Sequence, residues 1–192
     1  MKFTQIPTDT FEKLQLNAGI LCSGFAPATG AVTGIIGATT GGISFSDSPE
    51  FKDFGEDIDN CPKNTKELKK IDDRTVTMTG TFLTVSTATV KLLAGAADID
   101  ATDTTKITPR VDLTDDDFDD IWFVGDYSDK NGPTNGGYVA IHMLNALSTG
   151  GFSMQTTDKE KGQFAFEFTG HYSIEAIDTV PYEVYVKAGT AE

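Results

Sequence analysis

The feature that most constrains this fold is an unbroken alternation of side chains between residues 163 and 172. The apolar face consists of Phe164, Phe166, Phe168 and Tyr172 with Gly170 among them, and the polar face consists of Gln163, Glu167, Thr169 and His171. A period of two residues is typical of a β-strand with one buried face and one face that is wet or paired. The segment therefore predicts a strand whose three phenylalanines lie in a core between sheets.

Similar alternation, or a short apolar run, marks the other predicted strands. These lie at residues 13–22, 41–46, 74–85, 105–113, 121–124, 138–144, 152–157 and 182–188. The strand at 152–157 is expected to pair with 163–172, and the final strand is expected to direct Tyr182, Val184 and Val186 inward. Residues 23–40 are rich in glycine, alanine and threonine, which predicts a loop, and the sequence NGPTNGG predicts a turn at 131–137.

One segment has the pattern of a helix, at residues 87–94. Ser86 can cap its first turn, and Gly95 can end it, because glycine tolerates the backbone conformation found at helix C-termini. With the predicted strands, this helix indicates a mainly β fold of two packed antiparallel sheets, a sandwich or barrel, flanked by one α-helix. The length of 192 residues suits a single domain.

Composition restricts the location and the partners of the chain. No hydrophobic run approaches the ~20 residues that span a bilayer, and the N-terminus lacks the apolar stretch of a signal peptide, so a cytosolic site of synthesis is expected. Cys22 and Cys61 are expected to be reduced thiols. The formal charge of −14 repels DNA and anionic membranes. This charge argues against a protein that binds DNA through its phosphates, but it permits a protein past which DNA moves without binding.

A long polar segment at residues 47–62 contains six acidic residues and one lysine, with Phe51, Phe54 and Ile58 among them. Loops of this length in a compact domain are usually functional or disordered, and embedded aromatic residues argue against plain disorder. Residues 63–70 are basic. An acidic segment followed by a basic one suggests contact between them, within one chain or between neighbouring copies, although two independently solvated faces are the favoured interpretation from sequence.

No residue of the sequence is a candidate for catalysis. His142 and His171 lie in predicted strands with no acid or nucleophile beside them in sequence, which favours structural roles. The sequence has no GxSxG, phosphate-loop or HExxH motif. Trp122 lies in an apolar run and is expected in the core. We therefore predict no catalytic residue, no cofactor and no enzyme activity.

The acidic cluster Asp98, Asp100 and Asp103 is the strongest candidate for a calcium site. An EF-hand loop that began at Asp98 would need glycine at position 103 and glutamate at position 109. These positions hold Asp103 and Pro109, so the pattern fails and no metal ligand is predicted.

Six segments of the chain, taken in order, resemble one protein family. They are KLQLNAGIL, GATTGGISF, EFKDFGEDIDNCPKN, FVGDYSDKNG, GGYVAIHMLNALSTGGF and KGQFAFEFTGHYS. Together they resemble major tail tube proteins of long-tailed bacteriophages and prophages, of the type common in phages of Gram-positive hosts. The resemblance runs from about residue 11 to residue 189.

The resemblance implies a structural virion protein. Family members fold as two packed β-sheets flanked by a helix, form stacked hexameric rings, and join their inner sheets into one barrel around a lumen. DNA passes through this lumen to the host without specific binding. The implied partners are further copies, the tape measure protein, the tail terminator and the distal tail protein, in a tail assembled in the host cytoplasm. The immunoglobulin-like appendage of many members is expected to be absent, leaving one domain at 1–192.

The resemblance also implies roles for particular residues. A long loop of family members reaches a neighbouring ring or subunit, which makes 47–62 the candidate, with Phe51 and Phe54 as apolar anchors. Lys66 and Lys69 are then candidate electrostatic partners at the ring contact. Glu167 is a candidate for the lumen wall, provided that its strand belongs to the inner sheet.

Two alternatives remain at this level. The first is a β-sandwich module that binds calcium and a glycan, which calcium titration would test. The second is another tail component, such as a terminator or the inner tube of a contractile tail, because tubes of both tail types share a fold.

Overall fold

The computed structural model describes residues 6–127 and 136–189, and most of the turn predicted at 131–137 lies outside these ranges. The described residues form one helix, α1 (Thr87–Ala94), and ten strands. The strands are β1 (Gln15–Ala26), β2 (Ala31–Gly37), β3 (Thr39–Asp53), β4 (Lys69–Phe82), β5 (Ala97–Ile99), β6 (Ile107–Pro109), β7 (Asp119–Tyr127), β8 (Gly137–Ser148), β9 (Phe164–Gly170) and β10 (Tyr182–Lys187).

Eight strands form one antiparallel sheet in the order β2-β1-β7-β8-β9-β4-β3, with β10 paired to β8. Strand β8 changes partner along its length: residues 138–143 pair with β10, and residues 146–148 pair with β9. Asn145 lies between these two stretches with a φ of 47°, in the left-handed region that asparagine tolerates better than most residues. Strands β5 and β6 form a separate two-stranded sheet.

The two halves of the large sheet pack against each other as layers. One layer contains β2, β1, β7, β8 and β10, and the other contains β9, β4 and β3. Their facing side chains form one buried cluster, Leu21, Val76, Met78, Phe82, Leu93, Ile121, Met143, Ala146, Phe164, Phe166 and Phe168. The mainly β, sandwich-like fold class is therefore confirmed.

Strand β9 has the two faces that its sequence predicts. Phe164, Phe166 and Phe168 are buried in the core between the layers. Tyr172 differs, since it is exposed. The strand ends at Gly170, so the alternation no longer applies at position 172.

Helix α1 has the predicted bounds and caps. The Thr89 N–H donates to Ser86 Oγ over 3.1 Å, and the Gly95 N–H donates to the Leu92 carbonyl. Leu93 is fully buried in the core, and its carbonyl accepts a hydrogen bond of 2.8 Å from Ser148 Oγ. A helix this short depends on such packing for its stability.

Three predicted segments are wrong in the structure. Residues 23–40 are not a loop, because β1 continues to Ala26 and β2 pairs with it from Ala31. Strand β2 is an edge strand, so its backbone hydrogen bonds hold it with few buried side chains. Residues 47–53 are part of β3 rather than a loop. Residues 152–157 form no strand and contribute a single bridge, Gln155 to Gln163.

The final strand is predicted correctly in position but not in burial. Tyr182 packs against the main core. Val184 and Val186 are exposed, although their backbones pair with Ile141 and Val139 of β8. On the opposite face, Tyr185 packs against Trp122 in a second cluster. This cluster buries Trp122, as expected. Cys22 and Cys61 are both free thiols.

Candidate functional site: the β3–β4 hairpin

Strands β3 and β4 form a hairpin that is longer than the sheet to which it belongs. They pair from Thr39 with Phe82 to Asp53 with Lys69. Strand β9 pairs with β4 only between Val76 and Phe82. Residues 48–75 therefore extend past the third strand as a two-stranded ribbon with a folded tip, which we call the arm. An isolated two-stranded ribbon is marginally stable in water.

The arm exposes large apolar side chains. Phe51 is 58% exposed, and the other three, Phe54, Ile58 and Ile71, are between 46% and 52% exposed. Phe51 lies directly opposite Ile71 across the two strands. The predicted anchors Phe51 and Phe54 are thus surface residues and not core residues, and they lie on one projecting element.

Lysine side chains lie over both phenylalanines. The Lys69 Nζ atom is 5.2 Å from the centre of the Phe51 ring and donates to Asn64 Oδ1 over 2.9 Å. The Lys52 Nζ atom is 5.6 Å from the centre of the Phe54 ring. The structure thus brings the predicted residues Phe51 and Lys69 together. Lys66, the other predicted lysine, is exposed in a short 3-10 turn at the tip.

Asp53 closes the tip of the arm. Its Oδ2 accepts the Asn64 N–H over 2.7 Å, and its Oδ1 accepts the Gly55 N–H over 2.9 Å. These two backbone hydrogen bonds lower the pKa of Asp53. Lys63 forms an ion pair of 3.0 Å with Glu56. The acidic and basic segments therefore contact each other within one chain, which is one of the two arrangements suggested by their charges.

Charge is distributed unevenly between the tip of the arm and the rest of the chain. Residues 51–71 contain five lysines and five acidic residues and are neutral, whereas the whole arm, residues 48–75, contains eight acidic and six basic residues and has a formal charge of −2. Because like-charged surfaces repel, this neutral tip is better suited than the acidic body to approach a second acidic copy.

The outer face of β3, β4 and β9 is almost entirely hydroxyl-bearing. The strand register aligns three rows, Ser44–Thr79–Glu167, Ser46–Thr77–Thr169 and Thr40–Thr81–Ala165. Thr149 Oγ1 lies 2.8 Å from Thr169 Oγ1 at its border. The predicted lumen residue Glu167 is exposed on this face, and these rows contain no lysine or arginine. The alternation of threonines within residues 74–85 was visible in sequence, but the alignment of this face of β4 with those of β3 and β9 was not.

The histidines have partners that sequence reasoning missed. The His142 ring stacks on Trp122 with centres 3.9 Å apart. Its Nε2 is 3.3 Å from Asp120 Oδ2, and its Nδ1 is 3.7 Å from Glu183 Oε2. Because the two carboxylates face opposite ring nitrogens, they cannot ligate one ion together with the histidine. His171 Nδ1 lies 3.2 Å from the Asn145 carbonyl, just beyond the end of β9.

The acids considered for calcium are engaged in local structure. Asp98 pairs with Arg110 Nε over 2.8 Å. Asp100 accepts the Asp103 and Thr102 N–H groups, and these two hydrogen bonds lower its pKa. Among the described residues, no group of three or more histidine, cysteine or acidic side chains is arranged to hold a metal ion.

Neither a scan against protein-family models nor a search of curated proteins finds a match to this chain. Within residues 6–127 and 136–189, no helix has the length and apolar character needed to cross a membrane.

Proposed function

We propose that the chain is a structural subunit, not an enzyme, that assembles with further copies of itself into a phage tail tube. The observation that carries this proposal is the arm, a projecting ribbon that keeps four large apolar side chains in water. Exposed apolar groups gathered on one projecting element indicate an interaction site.

Burial of the arm alone does not make an assembly stable. Each of the four side chains leaves on the order of 100 Å² in water, so burying all four contributes roughly 10 kcal/mol at about 25 cal/mol per Å². Association costs an estimated 4–15 kcal/mol in lost freedom of motion. The arm alone roughly offsets that cost, and a stable assembly therefore needs further contacts.

The sheet edges supply candidates for those contacts. Within the described parts of the chain, β3 pairs with β4 alone and β2 pairs with β1 alone, so each has an edge on which no second strand lies. An unpaired edge is a template for another strand, and closed assemblies remove such edges. In the proposed tube, hexameric rings stack through the arms and subunits join through their edges.

The outer face of β3, β4 and β9, with its rows of hydroxyl side chains, gives the proposed tube a suitable inner wall. Its aligned rows carry Glu167 as their single charge. A neutral to acidic surface without lysine or arginine offers no ion pair to DNA phosphates, which otherwise dominate affinity for DNA. We assign Glu167 and the threonine rows to the lumen, through which DNA is delivered to the host.

Electron microscopy of the purified chain tests this function. The chain should form rings or tubes, either alone at high concentration or when mixed with the tape measure, terminator and distal tail proteins. A sheath encoded beside the chain would assign it to a contractile tail. A chain that stays monomeric at every concentration, with and without these partners, would contradict the proposal.

A further inference from the structure

A half-buried polar cluster lies at the base of the arm, at the point where β9 stops pairing with β4. Asp47 of β3 accepts hydrogen bonds through Oδ2 from Arg74 Nη1 of β4 and from the Tyr182 hydroxyl of β10, the latter over 2.9 Å. Asp47 lies directly opposite Val76, the last β4 residue that pairs with β9. The three side chains form what we call the arm clamp.

The clamp is shielded from solvent. The side chains of Asp47 and Arg74 are 16% and 25% exposed. The second carboxylate oxygen, Asp47 Oδ1, is buried with no hydrogen-bond partner among the described residues. A buried carboxylate with one free oxygen depends strongly on the partners that remain, because an unpaired buried charge is costly. Its hydrogen bond with Tyr182 is also the largest cause that raises the pKa of that phenol.

Tyr182 connects the arm to the opposite layer of the sandwich. It begins β10, which pairs with β8, whereas Asp47 and Arg74 belong to the layer of β3, β4 and β9. Its ring packs on Phe45 with centres 5.2 Å apart. Both the ring and the hydroxyl of Tyr182 are thus fixed, so the tyrosine can resist a swing of the ribbon about its base.

We infer that the Asp47–Arg74–Tyr182 clamp is a positioning device that holds the arm at one angle to the body of the subunit. The inference rests on the proposed function in one respect, namely that the arm contacts a neighbouring copy. A preset angle reduces the ordering cost of that contact, because the arm already points at its partner before binding.

The hydroxyl deletion Tyr182→Phe tests the clamp, and Tyr185→Phe is its matched control. Tyr185 lies on the same strand, and its hydroxyl donates to Glu183 instead of to Asp47. Spin labels at Asp57→Cys, in the arm tip, and Ala88→Cys, in α1, report the arm angle as a distance distribution in the monomer. Cys61→Ser removes the accessible native thiol, and Cys22 is buried.

Tyr182→Phe should broaden this distribution, since loss of a hydrogen bond to a charged group raises the fraction of subunits whose arm is released from the clamp about tenfold. Tyr185→Phe should leave the width unchanged. An unchanged width in Tyr182→Phe would overturn the inference. If Tyr182→Phe unfolds, Asp47→Asn is measured in its place with the same expected broadening and the same contrary result. Failure of the unsubstituted chain to assemble would contradict the proposed function, but it would leave this distance test intact.

Discussion

Replacing Phe51 with aspartate should abolish assembly while leaving the subunit folded. Phe51 is 58% exposed, so of the roughly 200 Å² of an aromatic side chain about 120 Å² remains in water. Burying that area against a neighbour contributes about 3 kcal/mol at 25 cal/mol per Å². Its loss weakens each contact roughly a hundredfold, and a buried aspartate weakens it further.

The cost of Phe51→Asp to folding is smaller. Because Phe51 is 58% exposed, about 80 Å² of its side chain is covered within the subunit, which contributes about 2 kcal/mol at 25 cal/mol per Å². The Lys69 ammonium also lies 5.2 Å from the ring centre, and such a cation–π contact contributes about 0.5–1 kcal/mol at an exposed site. An aspartate at this position can pair with the same lysine and recover part of the loss. We therefore expect the free energy of unfolding to fall by about 2 kcal/mol, with the subunit still folded.

Sedimentation velocity and electron microscopy measure the assembly of this variant, and urea denaturation measures its fold. Val111→Asp is the control, since it adds the same charge outside the arm at a side chain that is 99% exposed. Normal assembly of Phe51→Asp would refute the reasoning about the arm. Loss of the folded monomer would show instead that Phe51 supports the core.

Three further substitutions test the fold. Phe168→Ala should lower the free energy of unfolding by about 3–5 kcal/mol in urea titrations, because Phe168 is fully buried; a loss under about 1 kcal/mol would contradict its core position. Ser86→Ala should cost about 1 kcal/mol through the lost helix cap, and an unchanged urea midpoint would exclude that role. Burial raises the pKa of Asp117, but hydrogen bonds from Thr114 and Arg110 outweigh it and the net pKa is lowered below 3.8. Its stabilising contribution is thus present above pH 3.8 and lost as pH falls through the lowered pKa. The Tm of Asp117→Asn should fall less than that of the unsubstituted chain between roughly pH 5 and pH 2, and equal falls would contradict this.

Sequence predicted those elements in which local pattern and tertiary burial agree. The alternation in β9 located both its strand and its buried face, because a sheet with one covered face requires that period. Ser86 and Gly95 located both ends of α1, because capping depends on neighbouring backbone groups.

Elements stabilised mainly by long-range pairing were missed. Strand β2 is mostly exposed and depends on backbone hydrogen bonds to β1. Its sequence, which contains glycine and threonine, does not by itself predict a strand. The outer half of β3 is a strand because β4 lies opposite it, despite its polar composition. Alternation in β10 identified two faces, but it could not show that the main core ends near Tyr182 and leaves Val184 exposed.

The candidate site was only partly predictable for the same reason. The aromatic residues in a polar segment located Phe51 and Phe54, and their exposure could be anticipated from that context. The clamp could not be anticipated, since Asp47 and Tyr182 are 135 positions apart in the chain and meet only through the packing of two layers.

Hydrogen exchange of the arm, measured in the monomer and in the assembled state, tests the central claim most directly. In the proposed tube, the two-stranded arm is exposed in a single subunit and covered between copies. Amides of residues 48–75 should therefore exchange faster than those of β9 in the monomer, and assembly should slow their exchange strongly. Exchange of these amides at the same rate in both states would contradict the account.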